Sequence, residues 1–164
     1  MPQLIDICNE RFEYKDFGDT RSGLYIKSIY CNRNKIGDRA GSVQRGYRQL
    51  WINNTCYYEH RIIWLMIYGT LPNVLDHKDR NGHNNSLSNL REATVQENNR
   101  NNSLSSNNKS GITGVYAKHT KWVAQITINR KNINLGTFEN KQDAIIARHN
   151  AEQKYYGEFA PCAN

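Results

Sequence analysis

The alternation of apolar and polar positions divides the chain into stretches of different period. Over residues 22–30, Leu24, Tyr25, Ile26 and Ile29 lie among polar positions with glycine punctuation, which predicts a strand. Residues 45–52 alternate, with Tyr47, Leu50, Trp51 and Ile52 carrying the apolar content. Asn53-Asn54 then makes a turn into residues 55–58, a second strand. The polar, glycine-containing stretch 32–42 reads as a loop, so the first piece of the chain is expected to be short strands. Residues 59–68 change period. Ile62, Ile63, Trp64, Leu65, Met66 and Ile67 crowd together before Gly69 and Pro72 stop the run, which predicts a short, heavily buried helix.

A second change comes at Val74-Leu75, a short apolar strand that leads into a dozen polar, turn-prone residues. Leu90 resumes a strand, and Thr94 with Glu97 three residues later has the spacing of a helix capping box. Residues 98–110 run from a helix end into an asparagine- and serine-rich linker, and we place the domain boundary between residues 104 and 105. The last piece has strand patterns over 114–118, 121–128 and 131–138, with turns at Thr120 and at Asn129-Arg130. Residues 141–156 then carry Ala144, Ile145, Ala147, Ala151 and Tyr155 at helical spacing. The expected fold is α+β: an N-terminal domain of strands around a strand–loop–strand–helix core at about 55–102, then a three-stranded antiparallel sheet packed on one helix.

The charge narrows the partners. Lysine and arginine number 22 against 15 acidic residues, a net charge of +7. That balance points to a polyanion, nucleic acid before membrane. The last sixty residues hold the largest share, but no basic tail stands apart. No apolar run has the length of a membrane span, and the N-terminus lacks the pattern of a signal peptide, so a soluble, cytoplasmic protein is expected. Cys8, Cys31, Cys56 and Cys162 form no C-x-x-C pair and have no histidine at zinc-finger spacing, so they are expected to be free thiols. Asparagine, at 22 residues, is so common that a single asparagine at a chosen spacing carries little weight by itself.

The chemistry concentrates in residues 74–98. Asp76 and His77 are adjacent after a short strand, where neighbouring side chains point to opposite faces. One can hold a metal while the other faces an attacking water. The set Asp76-His77, Asn89 twelve residues after the histidine and Asn98 nine residues later resembles the phage-type HNH homing endonuclease family, with its ββα-metal motif. The flanks 58–64 and 69–72 and the run Asn89-Leu90-Arg91-Glu92-Ala93-Thr94 look like that family too. The resemblance implies His77 as the general base, and Asp76 and Asn98 as ligands of one divalent metal, magnesium or manganese. It implies Asn89 as a brace for the loop that aims His77. His60 is expected to brace the site from the helix, and Arg61 and Arg91 to contact DNA. The implied reaction is hydrolysis of duplex DNA, leaving a 5′-phosphate and a 3′-hydroxyl.

Residues 110–116, 121–126, 135–138, 143–144 and 156–160 resemble the plant ethylene-response-factor type of DNA-binding domain. That likeness implies a sheet laid in the major groove. Several positions where that family uses arginine are Tyr116, Thr127 and Asn132 here, which favours glutamine or asparagine reading adenine. The expected DNA contacts are Tyr116, Lys118, Lys121, Trp122, Gln125, Thr127, Arg130 and Lys131. The resulting expectation is a phage- or mobile-element-encoded nuclease acting on double-stranded DNA in a host cytoplasm, as a monomer or weak dimer, with no small-molecule substrate. The rival is a DNA-binding regulator whose nuclease site is degenerate.

Overall fold

The computed structural model describes residues 3–29, 33, 35–101 and 107–160. Tyr30, Cys31, Cys162 and the linker residues 102–106, within which the expected domain boundary falls, lie outside the described residues. The chain divides into two compact units, Met1–Asn98 and Asn99–Asn164.

The first unit opens on a helix, which corrects the expectation of strands alone. Helix α1, Leu4–Arg11, buries Ile7 and Cys8 on one side. Asp6 accepts the Gln3 N–H at 2.9 Å, and its charge suits the helix N-terminus. Strand β1, Phe12–Lys15, follows at once and pairs antiparallel with β2, Gly23–Ile26, Phe12 lying opposite Ile26. A second sheet has the order β3, Ser42–Gln44, β4, Tyr47–Ile52, and β5, Thr55–Tyr58. Asn53 and Asn54 join β4 to β5 with φ of 48° and 62°, the left-handed pair that a two-residue hairpin needs and asparagine tolerates. Helix α2, Glu59–Tyr68, starts without a break and ends at Gly69, whose φ of 72° lets its N–H reach Leu65 O at 2.9 Å.

Phe12, Leu24, Leu50, Ile52, Ile62 and Ile63 form the main core, so α1, both sheets and α2 share one apolar centre. A smaller cluster of Trp64, Leu75 and Leu90 seats the next hairpin on α2. Each such side chain contributes roughly 2 kcal/mol by leaving water. That hairpin is β6, Val74–His77, paired antiparallel with β7, Leu90–Ala93, with Asp76 opposite Arg91 and His77 opposite Leu90. Helix α3, Val95–Arg100, follows. Its start is capped as the spacing predicts: Thr94 N donates to Glu97 Oε2 at 2.7 Å, and Glu97 N donates back to Thr94 Oγ1 at 3.2 Å.

The second unit is a three-stranded antiparallel sheet packed on one helix, as the pattern predicts. Its strands are β8, Val115–Lys118, β9, Lys121–Ile128, and β10, Lys131–Phe138, with β9 in the centre. Helix α4, Lys141–Tyr156, covers one face through Ala144 and Ala151. Arg148 is buried under the sheet, its Nε donating to Glu152 at 2.9 Å and its guanidinium to Gln125 O at 2.6 Å. Among the described residues no helix is long and apolar enough to cross a membrane.

Candidate active site

The site is built where the β6–β7 hairpin meets the N-terminal end of α2. His77 closes β6 and is buried. Its Nε2 lies 2.9 Å from Asn85 Oδ1. Burial holds the imidazole below its ordinary pKa, against the hydrogen bond that it donates to Asn85 and the charges of Asp79 and Asp76. The ring is enclosed by other rings. His60 meets it edge-on with centroids 4.9 Å apart, Tyr47 is tilted at 5.9 Å, and Tyr58 stacks on His60 at 5.6 Å. Among the described residues His60 Nδ1 has no hydrogen-bond partner, and burial, then the neighbouring His77 and Arg61, push its pKa down to about 3.

Asp76, one residue earlier on β6, is 4% exposed. Its Oδ2 accepts Arg91 Nε at 2.9 Å and the Arg91 terminal nitrogen at 2.7 Å. The hairpin register produces this pair, because Arg91 stands directly opposite Asp76. Arg91 thus fixes Asp76 inside the protein. Arg61 also has a protein partner, Pro72 O at 2.9 Å, and so ties α2 to the segment entering β6.

Asn89 straps the loop between the two strands. Its Nδ2 donates to Asp79 Oδ1 at 2.9 Å and to Asn84 O at 2.8 Å, and its Oδ1 accepts Asp79 N at 3.0 Å. The loop is also held from outside. Tyr14 Oη donates to Asn85 O at 3.2 Å, and Leu87 N lies 3.1 Å from both Tyr14 Oη and Asp16 Oδ2. At Gly82 the backbone of the β3–β4 turn passes so close that a Cβ would collide with Gly46 O and the Tyr47 ring. Asn98 sits half-buried on α3, its N–H donating to Thr94 O at 3.0 Å.

A buried carboxylate stands behind the loop. Glu59 opens α2 and is fully buried. It accepts Leu24 N at 2.8 Å, Arg39 at 3.0 and 2.8 Å, and Asn85 Nδ2 at 2.6 Å. Sequence reasoning missed Glu59, Asn85, Arg39, Tyr14 and Tyr47. The one local signal was an acid at the head of the most apolar run in the chain, which a buried partner has to satisfy.

Residues 57–100, from the end of β5 through α3, match the family model described as HNH endonuclease. This segment is similar to HNH endonuclease-family domains. A protein named an uncharacterized HNH endonuclease, from Acanthamoeba polyphaga mimivirus, is 35% identical over 104 residues. The match covers 62% of this chain and 54% of that protein, so the chain spans about half the length of its relative. No solved structure matches. Within the HNH segment, Asp76, His77, Asn89 and Asn98 all lie on the strand–loop–strand–helix unit. Asn85 lies in its loop, and Glu59 opens the helix before it.

In the second unit, strand pairing sorts the expected DNA contacts. Tyr116 and Lys118 on β8 share a face with Lys121, Gln125 and Thr127 on β9, because the register sets Tyr116 opposite Val123 and Lys118 opposite Lys121. Asn132 stands opposite Thr127 on the same face, with Thr127 Oγ1 donating to Asn132 Oδ1 at 2.5 Å. Trp122 falls on the other face, half-buried against Val115, Ala124 and Ala144, with Lys141 over its ring at 5.5 Å. Arg130 and Lys131 are exposed at the β9–β10 turn. Lys121 pairs with Glu139 at 2.6 Å in solvent, an ion pair that contributes little to stability.

Proposed function

We propose that this chain is a metal-dependent endonuclease that hydrolyses phosphodiester bonds in duplex DNA. The observation that carries the reading is the His77 imidazole, buried and oriented by Asn85, one residue from the oriented carboxylate of Asp76. His77 takes the proton from a water, whose oxygen forms the new bond to phosphorus. The P–O3′ bond breaks, the 3′ oxygen gains its proton from solvent, and the products are a 5′-phosphate and a 3′-hydroxyl.

Asp76 and Asn98 would hold the metal. Their carboxylate and amide oxygens are hard donors that suit magnesium or manganese better than zinc. Among the described residues no group of three or more histidine, cysteine, aspartate or glutamate side chains could hold a metal ion. A site of one carboxylate and one amide fits a cation that keeps several waters and shares the substrate phosphate. Bound there, the metal supplies charge stabilisation to the phosphate and the departing oxygen. Arg91 keeps the Asp76 carboxylate aimed, and Asn89 keeps the loop closed around His77. The face of the second unit that bears Lys118, Lys121, Gln125 and Thr127 would position the nuclease on DNA, with the boundary between nuclease and DNA-binding domains near residues 104–105.

The test is supercoiled plasmid incubated with the full chain in magnesium, in manganese and in chelator, beside His77→Ala. Metal-dependent nicked or linear product that disappears in the variant supports the proposal. The rival, a DNA-binding regulator without cleavage, draws on the Asp76–Arg91 ion pair, which a metal has to share. Salt-sensitive binding with no cleavage of any plasmid, including one carrying source-genome DNA, would favour it.

A further inference from the structure

We propose that Asn85 and Glu59 are positioning residues for His77: they keep a proton on its Nε2 and leave Nδ1 as the nitrogen that takes a proton from water. This rests on the reading of His77 as the base. The chain of constraints begins at Glu59, whose carboxylate oxygens accept from Arg39 and from Leu24 N. A carboxylate so engaged offers only lone pairs to Asn85. The Asn85 amide atom 2.6 Å from Glu59 Oε2 must therefore be its Nδ2, because the amide oxygen there would put two acceptors against each other. That fixes the other end of the amide. Oδ1 faces His77 Nε2 at 2.9 Å, and Oδ1 cannot donate. The proton in that hydrogen bond belongs to Nε2 in the neutral ring and in the cation alike, so the exchangeable site is Nδ1.

The relay is buried and tied to its surroundings. Glu59 and Asn85 are both fully buried. The backbone of Asn85 is tied to Tyr14 Oη. Gly23 leaves room for the clamp, since a Cβ there would collide with the Arg39 guanidinium and with Glu59. Orientation of a reactive imidazole through its second nitrogen is a general device for choosing the tautomer.

The test is long-range proton–nitrogen NMR at pH 8 on the full chain carrying nitrogen-15 histidine, without metal or DNA. His77→Gln assigns the His77 signals. The expected result is the Nε2–H tautomer, and an Nδ1–H tautomer in the unmodified protein overturns the proposal. In Asn85→Leu the tautomer is expected to become mixed. Single-turnover cleavage should fall roughly 10- to 100-fold with DNA binding retained. A folded Asn85→Leu protein with unaltered tautomer and rate overturns the proposal. A protein that cleaves nothing yet shows these tautomer changes refutes the nuclease reading and supports the relay.

Discussion

His60 lies in the first turn of α2 with its ring against His77, and its protonation is tied to folding. Its pKa is about 3 in the folded chain against 6.5 for the free side chain. Between those values the unfolded chain holds a proton that the folded one refuses. The stability is therefore complete above about 6.5 and is lost as pH falls toward about 3. His77 is shifted in the same direction and adds to the slope. Thermal unfolding midpoints measured between pH 7 and pH 4 should fall for the native sequence and fall less for His60→Phe; equal slopes would mean that His60 is not kept neutral by burial. The thiols give a second contrast. Cys8 is buried and burial pushes its thiol up to about 11, whereas Cys56 is exposed on β5. Alkylation of the folded protein, followed by peptide mass mapping, should modify Cys56 and spare Cys8 until denaturant is added. The catalytic candidates were legible at this scale because Asp76-His77 and Asn89 sit at a spacing with a strand on either side. Asn85 was not, since one asparagine among 22 carries no local mark. Its partner Glu59 lies 26 positions away and meets it only in the fold.

Elements show where periodicity speaks and where it falls silent. The buried helix α2, the hairpin around Asn53-Asn54 and the three strands and helix of the second unit follow the pattern of their apolar residues. Helix α1 did not, because it is eight residues long and only Ile7 and Cys8 are buried, too few positions to set a period. Strand β3 has all three residues exposed, so it shows no alternation at all. Turn chemistry decides the second unit. Gly114 has φ of 77°, and a Cβ there would collide with Gln125 O and the Arg148 guanidinium. Gly114→Ala should therefore destabilise this unit by more than the roughly 1 kcal/mol that a glycine replacement costs from conformation alone. Urea unfolding followed by tryptophan fluorescence would measure it, and a smaller effect would mean that the Arg148–Gln125 hydrogen bond gives way at no cost.

Across the whole molecule both units carry a net positive charge. The +7 balance is spread, but the sheet face with Lys118 and Lys121 and the turn with Arg130 and Lys131 are the places where strand pairing gathers cations in the open. Replacing these four by glutamine in the full chain should flatten the dependence of log affinity for duplex DNA on log salt. The expected change is about 0.9 for each phosphate that the variant no longer neutralises, roughly 3 to 4 in all. An unaltered slope would remove this face from DNA binding. The match to the HNH family covers residues 57–100, yet Glu59 is clamped by Arg39 and Leu24, and the Asn85 loop hangs on Tyr14 and Asp16, none of them inside that span. A graft of the matched span into a foreign scaffold would leave its histidine without the orientation it has here. A transplantable piece has to begin with α1, whose Ile7 and Cys8 share the core with Phe12, and run through the end of α3, so the front of the chain has to move along with the motif.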